Sequence, residues 1–528
     1  MSFTTITFMI FFGILFIAYY AFPKNYQRFV LLIASYIFYA FTSVKALFML
    51  VAVTLITYFG GLAVAAINDK EAAYLKENKL EKEEKKAYKA TQQKKRNRIL
   101  AAVVVVLLAI LGVFKYTNFV LESIDNIISI FGGKHSFNEI EILLPVGLSF
   151  YIFQSMGYMI DVYRGMVEAE KDISKYALYV AFFPQVLQGP IGDYAKLSPQ
   201  LYAKHEFNRQ QAVFGIQRVV WGFFKKLVIA NSLSMGVDKM FGFYWQYSGI
   251  VWILGLILYS IQLYADFSGY MDIALGCGQM LGITLDENFT TPYFAKSIAE
   301  FWRRWHMTLG AWFKNYLFYP LLRTDWLNNM RKKYKKQKKS YLSQTLPNVF
   351  ALIITWFSIG LWHGAAAKYI VYGLFHGFFV IMDSVLSPVY SGWREKHSKL
   401  SESRGFNIFR IVRTFTIVTL GYGIFRARDL GATVDIFESL FTGIQKSVLG
   451  TFLYNYYYYL IAGFLGTVVL FVVDLYHEKH PEVGSLRNAI SQKKPLIRYS
   501  IYILAIVSII FFGTYGDASL NTFAYFQF

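Results

Sequence analysis

The chain has 528 residues, of which 55% are hydrophobic, 19% aromatic and only 16% charged, whereas soluble domains carry about 25% charged residues. That shortfall excludes an ordinary soluble globular protein. The 53 Lys and Arg outnumber 33 Asp and Glu, a net charge of +20. In a hydrophobic chain such an excess marks membrane topology and contact with anionic lipid. With no zinc knuckle, basic recognition helix or RNP-like strand beside it, nucleic acid is not the expected partner. The single cysteine, Cys277, rules out an internal disulfide framework and a multi-cysteine metal site, and among glycines it reads as a small packing residue.

A stretch of about 18 to 20 apolar residues spans a bilayer. Such stretches fall near 5–22, 29–47, 48–67, 99–118, 143–161, 212–234, 247–265, 345–362, 366–387, 407–424, 453–474 and 497–514. The expected fold is therefore all-α, a polytopic membrane protein with about a dozen crossings in one transmembrane domain over 1–528. No Lys or Arg precedes the first stretch and no small-residue cleavage site follows it, so it reads as a retained helix with the N-terminus outside. The segment 69–98 holds eleven Lys and Arg against six Asp and Glu, and positive-inside counting makes it a cytoplasmic loop. By the same count 325–344, 391–404 and 477–498 are cytoplasmic, 119–142 faces outward, and the C-terminal tail 515–528 is extracytoplasmic. Between 176–211 and again between 266–325, apolar sequence is broken by Pro, Gly and charge. Two readings stay open there: helices and re-entrant loops lining an interior path, or amphipathic helices lying at the interface.

Ionisable groups inside apolar segments are costly and are candidates for function. His135, His205, His397, His477 and His480 lie in polar surroundings and read as solvated residues. His306 sits in EFWRRWHMTLGAWFKNYLFYPL, where Arg303, Arg304 and Lys314 alternate with Trp302, Trp305, Trp312 and Phe313; by composition this suits a membrane interface. His363 differs, since WFSIGLWHG ends one apolar segment and GAAAKYIVYGLFHG begins the next. An imidazole there costs several kcal/mol without a partner or a task, small neighbours leave room for a substrate, and neutral imidazole is a competent general base near pH 7. His376 is also intramembrane and reads equally as a helix-packing residue. No HExxH or short-spaced His/Asp set suggests a metal, and Asp266 and Asp272, six apart, do not share a helix face. P-loop, GxGxxG and GxSxG patterns are missing as well.

YADFSGYMDIALGCGQMLGITLDENFTTPYFAKSIAEFWRRWHMTLGAWFKNYLFYPL at 264–321 resembles the signature block of membrane-bound O-acyltransferases, in particular their bacterial alginate O-acetyltransferase subunit I branch. Collinear supporting blocks are FKYTNF at 114–119, LPVGLSFYIFQSMGYMIDVYRG at 144–165, FPQVLQGPI at 183–191, GFFKKLVIAN at 222–231, GLWHGA at 360–365, FRARDL at 425–430 and the terminal FAYFQF. The resemblance implies an integral membrane enzyme of the bacterial cytoplasmic membrane. It would carry an acyl group, usually acetyl, from a cytoplasmic thioester toward an extracytoplasmic polysaccharide. The two family histidines map onto His306 and His363, the latter being the catalytic one. LLRTDW at 321–326 replaces the family's glycine-rich stretch, and Lys368 stands where an aromatic residue is usual.

The expectations are then an acetyltransferase with no bound cofactor and acetyl-CoA as donor, served by a separate extracytoplasmic SGNH-type partner and a polysaccharide acceptor. Arg303, Arg304, Trp305, Trp362 and Asp266 are candidates for donor binding or for lining the channel, and the basic run 331–339 for attracting the donor's phosphates. Tyr525, in the aromatic tail, is a candidate acyl relay, with an aromatic anchor as the alternative. Competing functions are D-alanyl transfer to teichoic acid from a carrier protein and, in a different class, polysaccharide transport.

Overall fold

The computed structural model describes residues 1–132, 137, 140, 142, 144–443, 446–482 and 484–515. Their regular secondary structure is helical, apart from an isolated antiparallel bridge between Phe289 and Trp305. The expected all-α architecture is the one found, and each apolar segment named above coincides with helix over most of its length. Among the described residues seven helices are long and apolar enough to cross a membrane, or eight if Ala367–Val385 and Ser387–Lys396, bent by 55°, form one broken span. The shortfall from a dozen has a physical origin: helices such as Ile6–Ala21, with 16 residues, are shorter than the hydrocarbon core requires at 1.5 Å per residue. Tyr525 and the tail beyond 515 lie outside the described residues, as do 133–136, 138, 139 and 141 of the outward segment 119–142.

The chain groups into two compact units. The first comprises Met1–Val213 and Cys277–Asp286. Within it the 69–98 segment is a helical hairpin and not a loop, because Val44–Glu77 and Lys82–Ile130 run through it with a break only at 78–81. The segment has neither Gly nor Pro and is rich in Lys, Glu and Ala, all good helix formers. Glu81 and Glu84 form a capping box at the restart, Arg96 pairs with Glu71 at 2.6 Å, and Tyr74 stacks on Tyr88. Helices Ile173–Ala181, Phe183–Val186 and Tyr194–Tyr202 fill the 176–211 region. Tyr176, Phe182 and Phe183 there are fully buried, which decides for interior segments over interfacial ones. Gly147, at φ +79°, is obligatory: a Cβ would stand 2.1 Å from the Val186 carbonyl oxygen.

The second unit comprises Phe214–Gly276 and Glu287–Phe528. Here Ser340–His363 packs along Ala367–Val385, with backbones so close that a Cβ on Gly373 would lie 2.4 Å from the Trp356 carbonyl oxygen, the small-residue contact expected between membrane helices. Phe224–Ala230 is a π-helical turn. Its wider winding lets two consecutive lysines meet one neighbouring helix, Ile250–Met280, where Lys225 pairs with Asp272 and Lys226 with Asp266, each at 2.5 Å. Asp272 also binds Arg218, whose guanidinium reaches Glu287. Below Pro495–Phe512 the chain returns to this turn: the Thr514 N–H donates to the Leu227 carbonyl, the Asn231 amide donates to the Thr514 carbonyl, and the Ser232 and Thr514 hydroxyls are 2.8 Å apart.

Candidate active site

The site grows from the irregular chain that follows Ile250–Met280. Residues 288–290 pair with 304–307: the Thr290 N–H donates to the Arg304 carbonyl and the Met307 N–H to the Asn288 carbonyl. This clamp holds His306 at φ 46°, ψ 51°, a left-handed conformation that is uncommon for a non-glycine residue and that must be over-determined by its surroundings. From there Met307–Phe313 starts, and His306 is 2% exposed. Its ring lies edge-on to Phe267 at 4.8 Å and against Trp362 at 5.8 Å between centroids. Phe301, Trp305 and His306 all face protein, while Arg303 is exposed. Burial lowers the His306 pKa, so the imidazole is neutral.

His363 is the last residue of Ser340–His363 and is 6% exposed. Its ring packs against Trp362, Tyr372 and Phe425 at 5.1, 5.5 and 5.4 Å. Trp362 thus touches both imidazoles, and the two histidines separated by 57 positions in sequence flank one indole. Two buried imidazoles against one indole, inside an aromatic wall, suit proton transfer away from bulk water.

The remaining candidates divide. Trp305 is a packing residue amid Phe289, Phe301 and Tyr422. Arg304 is engaged by Glu300 and Glu478 and by Thr291, so its charge is matched within the protein, while Arg303 is exposed. Asp266 is paired with Lys226, and Lys332, Lys333, Lys335 and Lys336 line a basic hollow on the helix Asp325–Lys336. Lys368 donates to the Ala427 carbonyl.

Three further neighbours of the buried histidines were not among the site candidates of the sequence. Asn288 is 1% exposed and contacts His306. Tyr372 touches both His363 and the fully buried His376. Trp302 meets His376 edge-on at 5.1 Å. A Tyr nine residues beyond a candidate His is visible as spacing, but nothing in the string DENFTTP marks Asn288.

Comparison with known proteins bears on what this arrangement does. Residues 169–421 match the membrane-bound O-acyltransferase family. The chain is 34% identical over 425 residues to a probable alginate O-acetylase of Pseudomonas aeruginosa, covering 80% of this chain and 71% of that protein. It is 29% identical to a peptidoglycan O-acetyltransferase of Helicobacter pylori, over 80% and 75% of the two chains. Identity to a teichoic acid D-alanyltransferase of Bacillus subtilis is 28%, over 54% of this chain and 69% of the relative.

Proposed function

Because the chain belongs to the membrane-bound O-acyltransferase family, we propose that it transfers acetyl from acetyl-CoA on the cytoplasmic side to the outer side of a bacterial cytoplasmic membrane, for O-acetylation of a cell-surface or secreted polysaccharide. The observation that carries this reading is the pair of buried imidazoles flanking Trp362. His363 takes the proton of the incoming hydroxyl, whose oxygen attacks the thioester carbonyl carbon. The C–S bond breaks and the proton passes to the departing thiolate, so no net proton is consumed. His306 serves the donor end of the same path. Arg303 and the lysines of 331–339 draw the anionic donor to the inner mouth.

Relatives named for alginate and for peptidoglycan O-acetylation support a polysaccharide acceptor. Delivery is completed by an SGNH-type partner outside, and Tyr525 relays the acetyl group through its hydroxyl. The D-alanyltransferase similarity keeps a carrier-bound D-alanyl thioester as the rival donor.

Purified protein in liposomes, offered labelled acetyl-CoA or a labelled D-alanyl carrier thioester, distinguishes the two. Acetyl-CoA should be consumed without an ion gradient, and His363→Ala should abolish consumption. Retention of more than about a tenth of the rate would contradict the 10² to 10⁴-fold expected of general base catalysis.

A further inference from the structure

Asn288 makes a set of contacts that fixes more than its own position. Its side-chain oxygen accepts the Thr308 backbone N–H at 3.0 Å and stands 3.1 Å from the Thr308 hydroxyl. A backbone N–H can only donate, so the atom facing it is the amide oxygen and the amide orientation is determined. The same oxygen lies 3.3 Å from His306 Nδ1, while the amide nitrogen faces the Met271 sulfur at 3.4 Å, a weak acceptor. An amide oxygen has no proton to give. The contact is a hydrogen bond only if Nδ1 carries the hydrogen, and in a neutral ring that leaves the lone pair on Nε2.

We infer that Asn288 is a positioning residue that holds His306 in the Nδ1–H tautomer and so makes Nε2 a hydrogen-bond acceptor. The left-handed backbone at His306 serves the same end, since the ladder from 288–290 to 304–307 brings Nδ1 and the Asn288 oxygen together. A lone pair at Nε2 receives an O–H or S–H proton and cannot donate to a thioester carbonyl. His306 is thereby directed to the hydroxyl of the acceptor or the thiol of the donor. This role rests on the acyltransferase reading, but the tautomer itself does not.

The experiment uses the full-length protein in detergent, labelled with [15N]histidine, with the His306 signals identified by their loss in His306→Gln. A protonated Nδ1 and an unprotonated Nε2 are expected in the wild type. Asn288→Leu should populate the Nε2–H form and lower kcat for acyl transfer by about 10²-fold, the order lost when a catalytic imidazole is left in the wrong tautomer or out of line, with donor KM changed by less than about threefold. Asn288→Asp retains an oxygen acceptor and should keep the Nδ1–H signal. Thr308→Val removes a neighbouring hydroxyl but not the Asn288–His306 contact, and should keep both signal and rate. An Nε2–H His306 in the wild type, or an unchanged Nδ1–H signal in Asn288→Leu, overturns the inference. If Asn288→Leu does not fold, the wild-type and Asn288→Asp spectra decide. Loss of all acyl transfer in the wild type would sink the functional reading while leaving the tautomer result standing.

Discussion

Asp266 entered as a candidate for lining a substrate path, and its pairing with Lys226 gives it a different weight. Both side chains are 4% exposed and the charged atoms are 2.5 Å apart. At the surface such a pair would contribute about 0 to 1 kcal/mol. Buried, its value lies in what happens when one member is removed: Asp266→Ala leaves an ammonium in the interior, and such losses cost about 3 to 5 kcal/mol. Replacing both groups by apolar side chains of similar volume, Lys226→Met with Asp266→Leu, removes the desolvation penalty together with the attraction, and should leave stability unchanged or raise it by about 1 to 4 kcal/mol. The measurement is a double-mutant cycle on denaturant unfolding in mixed micelles, whose coupling term isolates the pair. If Asp266→Ala costs under about 1 kcal/mol and the two substitutions simply add, the pair is not buried as described. Acyl transfer is read on the same proteins. Activity retained by the double variant assigns Asp266 to holding Lys226, whereas a stable but inactive double variant restores a place for its carboxylate in the path.

Gly421 backs the fully buried His376, and a Cβ there would lie 2.4 Å from Nε2. With His376 hemmed by Trp302, Tyr372 and Phe375, Gly421→Ala should destabilise by about 1 to 3 kcal/mol, and His376→Ala should suppress most of that loss; additive effects in unfolding would refute the contact. Tyr525→Phe preserves an aromatic ring and removes only the hydroxyl, so polysaccharide acetylation at the wild-type level in that variant would leave Tyr525 as an anchor. Single cysteines placed in 325–344 in a Cys277→Ser background should resist impermeant thiol reagents in intact cells, and labelling there would reverse the assigned orientation.

Apolar runs sufficed to locate the helices, because burial in lipid or protein demands them wherever backbone hydrogen bonds must be satisfied internally. Charge was a poorer guide. Lys-rich 69–98 reads as a loop by topology counting, yet its Glu, Lys and Ala are helix formers with no breaker among them. Arg304 looks like a donor-facing cation next to His306 until the chain brings Glu478 back from 174 positions away. The burial of His363 was legible from its small, apolar neighbours. Asn288 was not, since its importance depends on a bridge between two irregular segments and on the positive φ of His306, neither of which has a periodic signature. GFFKKLVIAN hides its geometry for a related reason: no residue in the string marks the π turn from which both lysines pair with one neighbouring helix.

That turn also behaves as a register mark. A π turn holds one residue more than the α-helical path it replaces, and the surplus lies between Phe224 and Ala230. Deleting a single residue there would let the helix heal at no cost in local propensity. Helix on either side would then keep its phase, so Asn231 and Ser232 would stay opposite Thr514. The change would fall on the turn itself, where Lys225 and Lys226 now face Asp272 and Asp266. A one-residue gap here is thus a local edit to the ion pairs, whereas the same gap in regular helix turns all that follows by about 100°.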